Sequence, residues 1–154
     1  MLTDDDVRYV HEQFVPLAEL CDDVEAVHAR IVARELPAPP YSGLELVPRD
    51  YFELPDAGAY PEDEREAFLD GTYFVCLVHA TPANVVRKGE LVDGIRGLLA
   101  EPRPDDEDWE RRLRAQIDEL DALERPFSPH YDRERFGCPP TRDELIAAPR
   151  AQYL

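Results

Sequence analysis

A chain of 154 residues, 44% hydrophobic and 33% charged, can bury one core, or one small helical domain packed on another. Its net charge of −17 disfavours nucleic acid and anionic membrane surfaces, and favours a basic partner or a cationic ligand. The longest apolar run, roughly Tyr73–Val78, is far shorter than the about 20 residues of a bilayer span. The start MLTDDD lacks the positive charge and apolar stretch of a signal peptide, so a cytoplasmic protein with no membrane partner is expected. Cys21, Cys76 and Cys138 are odd in number and widely spaced, which fits reduced thiols rather than a disulfide framework. Lys88 is the only lysine among seventeen basic residues, a bias typical of a high-GC genome.

In chain order, Thr3 followed by three aspartates predicts a helix start: a capping hydroxyl, then acids against the positive end of the helix dipole. Val7, Val10 and Phe14 follow at helical spacing until Pro16 ends or interrupts the helix. From Phe14 to Leu46 the cadence is that of a helix-turn-helix with a wing. A short helix (Pro16–Cys21) leads through an acidic turn at Asp22-Asp23 to a longer helix with Val24, Val27 and Ile31 on one face. Pro37, Pro39 and Pro40 then precede a short hairpin centred on Ser42-Gly43. Val47–Leu54 reads as a strand end followed by a turn of helix. Pro55–Pro61 is turn material and the best boundary. It separates a winged-helix-like part (1–58) from a helical bundle with a tail (59–154), unless both form one compact unit.

Glu62–Ala80 is favoured as a helix, because Phe68, Thr72 or Tyr73, Cys76 and Ala80 follow helical spacing after an acidic first turn. Gly71 weakens that helix, and TYFVCLV is also rich in strand formers. Thr81-Pro82 restarts a helix that runs to Ala100 with Leu91, Ile95, Leu98 and Leu99 on one side. Trp109, Leu113, Ile117, Leu120 and Leu123 form the cleanest amphipathic stripe of the chain. Short connections imply that these three helices run antiparallel as a bundle. The proline-rich tail from Pro126 carries Phe127, Tyr131 and Phe136, which suit docking on the bundle, and the capping box Thr141–Glu144 predicts a last short helix. The fold class is therefore mostly α.

The phrases LTDDDVRYVHEQFVPLAELC, HATPANVVRKGELV and ERPFSPHYDRERFGCPPTRDELI resemble an uncharacterised actinobacterial family whose members are described as natural-product biosynthesis proteins from their gene neighbourhood. That resemblance implies a role in secondary metabolism and carries over no catalytic residue. The N-terminal third separately resembles the winged helix-turn-helix modules of MerR-like regulators and excisionases, which implies a fold and not a function.

Charge opposes that second implication. Residues 1–60 hold thirteen Asp or Glu against four Arg, and the Val24–Glu35 helix offers only Arg30 and Arg34 as cations. Phosphate contacts and base readout need more than this, so no nucleic-acid partner is expected. Cys76 and His79, on one face if they share a helix, suit two metal ligands or a nucleophile with its base. No second pair completes a zinc site, and neither metal nor cofactor is expected. Thr81-Pro82-Ala83-Asn84 exposes backbone N–H groups at a helix start, with the cations Arg87 and Lys88 one turn on. Tyr73, Cys76, His79, Asn84, Arg87 and Lys88 are the residues that a small-molecule pocket would draw on. The acidic clusters Asp4–Asp6, Glu62–Glu66 and Asp105–Asp108 sit where helix first turns prefer acids.

Three functions follow from these features. The favoured one is a non-DNA-binding accessory or interaction protein of natural-product biosynthesis, partnered by a protein of the pathway, a small-molecule intermediate or a second copy as a homodimer. A small helical enzyme or ligand binder with a pocket near residues 73–88 is the second. A transcription regulator using the helix-turn-helix is the third.

Overall fold

Thr3 opens the first helix reciprocally: its Oγ1 accepts from Asp6 N, and Asp6 Oδ2 accepts from Thr3 N, both at 3.1 Å. In the computed structural model, which describes residues 3–41, 44–126 and 141–154, this helix (α1, Asp4–Gln13) begins a mostly helical chain with one small antiparallel sheet. Strand β1 (Val15–Pro16) pairs with β2 (Leu46–Val47), Val15 opposite Val47 and Pro16 opposite Leu46. The sheet has only these two strands, so Pro16 lies on an edge, where its missing N–H is tolerated. The two strands clasp the helix pair between them, α2 (Leu17–Leu20) and α3 (Val24–Val32). Asp23 caps α3 by accepting from Ala26 N at 3.0 Å. Ser42 and Gly43, the expected hairpin turn, lie outside the described residues, as do Phe127, Tyr131, Phe136 and Cys138 of the tail.

Arg34 ends the α3 segment in the left-handed region, φ 62°, a conformation that costs a non-glycine residue about 1 kcal/mol. The turn directs its guanidinium to Glu66 (2.6 Å) and Asp70 (2.9 Å). After β2 a single 3₁₀ turn, Tyr51–Glu53, follows as the sequence predicts. Tyr51 is buried and donates its hydroxyl to Pro37 O at 2.5 Å.

The stretch Glu62–Ala80 is not one helix. A 3₁₀ turn (Glu62–Glu64) leads into α4 (Arg65–Leu69), then Gly71 breaks the chain, and α5 (Thr72–Cys76) follows. Gly71 sits at φ 78°, and a Cβ there would lie 2.3 Å from Ala38 O. Both the left-handed backbone and the close approach require glycine. Leu77 is extended and pairs with Glu124 in an antiparallel bridge, and the chain then bends at Val78 and His79. The strand-rich composition of TYFVCLV is thus expressed at Leu77 only.

Helix α6 (Pro82–Ala100) starts at the predicted cap, Thr81 Oγ1 accepting from Asn84 N at 3.2 Å. It returns as α7 (Glu107–Leu123), whose Trp109 donates its indole N–H to Leu98 O at 3.0 Å and ties the two antiparallel helices at their turn. The third member of this bundle is not the 62–80 segment but the C-terminal helix. That helix is a π-helical turn over Arg142–Ala147 continuing into α8 (Ala148–Tyr153). Thr141 is itself helical and makes no capping bond, so the expected capping box does not form.

Two apolar clusters result. One gathers Val10, Phe14, Leu17, Tyr41, Val47, Tyr51, Phe68, Phe74, Leu77 and Val85. The other gathers Leu91, Ile95, Trp109, Leu113, Ile117, Leu120, Leu145 and Ile146, and Leu123 packs against both. No helix among the described residues is long and apolar enough to cross a membrane.

Asp121 clamps the C-terminal helix onto α7, bonding Arg150 at 2.8 Å and also Arg142. Hydrogen bonds from Arg150 and Arg142 hold its carboxyl below the ordinary aspartate value. A depressed carboxyl stabilises the fold above its unfolded pKa, and that contribution is lost as pH falls through the folded one. Undocking is therefore expected to set in below about pH 3.9. Trp109, the only tryptophan, lies 5.2 Å from the Tyr153 ring and reports it by fluorescence. Asp121→Asn should weaken docking at neutral pH and remove much of this acid limb; an unchanged acid profile would show that the clamp is not the acid-labile element.

Candidate functional site

The six residues expected to line one pocket separate into three groups. Helix α5 ends at Cys76, so Cys76 and His79 do not share a helix face and cannot act as an i, i+3 pair. Tyr73 donates its hydroxyl to Glu64 beside it. Arg87 and Lys88, adjacent in sequence, leave α6 in different directions. Arg87 is exposed and bonded to Glu119 and Glu90, chiefly by Glu119, which raises its pKa. With Tyr60, Pro82 and Asn84 it borders a broad, shallow depression at the start of α6.

Lys88 turns inward at the seam between the two clusters, and its Nζ lies 3.2 Å from Oε1 of the fully buried Glu124. Burial alone would depress this ammonium. Cys76 and Glu124 outweigh it and hold Lys88 charged, with the Cys76 thiol within hydrogen-bonding reach. Burial pushes the Glu124 carboxyl up, against the pull of Lys88. Lys88 apart, no described residue donates a hydrogen bond to either Glu124 oxygen, so this is a buried ion pair with little further support. Its chemistry is that of a structural pair with a thiol at its edge. Among the described residues no group of three or more His, Cys, Asp or Glu is disposed to hold a metal ion.

His79 belongs to a third place, a cleft of about 370 Å³ between the Pro48–Glu53 segment and the residues after α5, with Gln13 and Arg125 in its wall. Its Nδ1 lies 3.1 Å from Asp50 Oδ2. A carboxylate only accepts, so Nδ1 carries a proton and donates it to Asp50, which orients the ring. The backbone that carries His79 is unusually well held. Five successive carbonyls accept hydrogen bonds from elsewhere in the chain. Cys76 O accepts from Arg125 N at 2.7 Å, Leu77 O and Val78 O from the Arg125 guanidinium at 3.4 and 3.1 Å, His79 O from Asn84 Nδ2 at 2.9 Å, and Ala80 O from Tyr60 Oη at 2.5 Å. Of the residues picked from sequence, His79 and Asn84 therefore do meet, through this carbonyl.

Arg125 is the keystone of that arrangement. It is buried, its other guanidinium nitrogen binds Gln13 O (3.0 Å) and Gln13 Oε1 (3.2 Å), and it lies 4.4 Å over the Phe14 ring. Burial pulls its pKa below the ordinary arginine range, opposed by Tyr9 and then by the Asp50 carboxylate. Sequence reading passed over Arg49, Asp50, Glu124 and Arg125. The charge of ER between Leu123 and Pro126 gave no sign that both residues turn inward, and Asp50 becomes a partner of His79 only through tertiary folding.

A model of a family of unknown function, DUF6058, matches residues 56–154, and the chain belongs to that family. Comparison with curated proteins and with solved structures gives no match. The matched region carries His79, Lys88, Glu124 and Arg125, while Arg49 and Asp50 lie just before it.

Proposed function

We propose that this member of the DUF6058 family is a cytoplasmic, non-DNA-binding accessory protein of bacterial natural-product biosynthesis that works by binding a basic protein partner. The carrying observation is the state of α3, the helix that would read DNA. Arg30 is paired with Glu35 at 3.3 Å, Arg34 with Glu66 and Asp70, and His28 Nε2 lies 3.0 Å from Glu45. No cation of this helix is left for a phosphate, and the surrounding charge of −17 would repel a duplex. What α3 offers instead is apolar. Val32 is 83% exposed, and Ile31, Val32, Pro39, Tyr41 and Leu44 line a groove of about 360 Å³ beside Glu45. An apolar groove on a chain of net charge −17 is complementary to a basic segment that presents an apolar side chain. The place in biosynthesis is supported by the likeness of three sequence phrases to proteins described in that setting.

Native mass spectrometry with the proteins of neighbouring genes co-expressed is expected to show a stoichiometric complex, lost on Val32→Glu while the fold is retained. Random duplex DNA at about 50 mM salt should give no anisotropy change. Salt-dependent duplex binding, with a complex indifferent to Val32→Glu, would overturn the reading in favour of a regulator.

A further inference from the structure

The fold itself uses only part of the charge arrangement of the cleft at His79. It is lined by two cations, Arg49 and Arg125, and by two carboxylates, Asp50 and Glu53, so it is formally neutral in a chain of net charge −17. Two of the four are engaged internally. Asp50 holds His79, and Arg125 holds Gln13 and the 77–78 carbonyls, leaving only its buried Nε–H without an acceptor. The other two, Arg49 and Glu53, are four residues apart across the Tyr51–Glu53 turn and both border the cleft. Neither side chain has a hydrogen bond or ion pair with a described residue, and they are not paired with each other. His79 Nε2 is likewise without a partner among the described residues. Unpaired charges of both signs in one concave site are complementary to a molecule that carries both signs.

We propose that this cleft binds a free α-amino acid, its carboxylate on Arg49 and its ammonium on Glu53, beside the His79 ring. The volume suits a small ligand of this kind. The orientation of the imidazole is set in advance by Asp50 and by the bonded carbonyls on either side, so little ordering is required on binding. Arg49 forms the directional, two-pronged bond that a carboxylate accepts. A simple anion would meet Glu53, and a simple amine would meet Arg49; a zwitterion satisfies both. The site is independent of the α3 groove.

The test is ligand-observed NMR and calorimetry on the full chain with the twenty amino acids, each compared with its N-acetyl and methyl-ester forms. At least one free amino acid should bind and shift the His79 imidazole resonances, with N-acetylation and esterification each weakening binding at least tenfold. Arg49→Ala and Glu53→Gln, both at exposed positions, should each cost at least tenfold with unchanged circular dichroism. His79→Gln should weaken binding. The proposal is overturned if no amino acid binds at 10 mM (roughly the weakest affinity worth a specific site), if blocked forms bind as well as free ones, or if Arg49→Ala and Glu53→Gln leave affinity unchanged.

Discussion

Glu124→Ala is expected to destabilise the protein by about 3–5 kcal/mol, a large share of the 5–15 kcal/mol typical of a domain. The substitution does not merely remove an attraction. It leaves the Lys88 ammonium at the seam between two apolar clusters, largely away from water, with only the Cys76 thiol beside it. Because Glu124 is itself poorly hydrogen-bonded, the pair as a whole contributes little net stability. The double variant Lys88→Met, Glu124→Leu should therefore recover most of what the single variant loses. Urea denaturation followed by Trp109 fluorescence measures both. A single variant within about 1 kcal/mol of the parent would mean that Lys88 finds water on relaxation and that the seam is wet.

Arg125→Ala should cost about as much, roughly 3–4 kcal/mol, by a different route. It removes a cation over Phe14 and orphans the carbonyls of Gln13, Leu77 and Val78, each of which then lacks its donor. Unsatisfied buried acceptors cost about 1–3 kcal/mol each, less whatever entering water restores. Arg125→Lys is expected to rescue little. One ammonium cannot span Gln13 on one side and two successive carbonyls on the other as a planar guanidinium does. Hydrogen exchange should show the sharpest loss of protection at Leu77 and Val78, whose amides bond Tyr73 O and Leu123 O. Exchange unchanged there, despite a global loss of stability, would show that the 77–80 backbone is held by Asn84 and Tyr60 alone.

The legible parts of this chain are those specified by neighbours in sequence. Thr3 and its aspartates, the Thr81-Pro82 start and the Trp109 stripe all form as read, because capping and helical periodicity are local. The expected bundle of three successive helices failed for a non-local reason. The 62–80 segment contains Gly71, whose left-handed turn against Ala38 is required by a contact 33 residues away, from Ala38 to Gly71. That break turns α5 and the residues after it toward the first apolar cluster, and the vacant place beside α6 and α7 is filled by Leu145 and Ile146 of the C-terminal helix. Thr141 looked like a cap because its sequence context is right, yet its backbone is already helical, and a helical residue cannot cap. The candidate site was half legible. His79 and Lys88 stood out by residue type, but their carboxylates, Asp50 and Glu124, lie 29 and 36 positions away and were indistinguishable from the many other acids.

The single lysine of this protein has only 16% of its side chain exposed in the folded state. Lysine-directed chemistry, whether an acylating enzyme, a conjugating ligase or a succinimidyl cross-linker, accordingly finds no ready target on the described surface. Such reagents reach the Lys88 amine as it leaves Glu124, so its acylation rate measures how often that buried ion pair opens. Mass spectrometry of that one modification gives a clock for the opening, and a partner that steadies the seam would slow it.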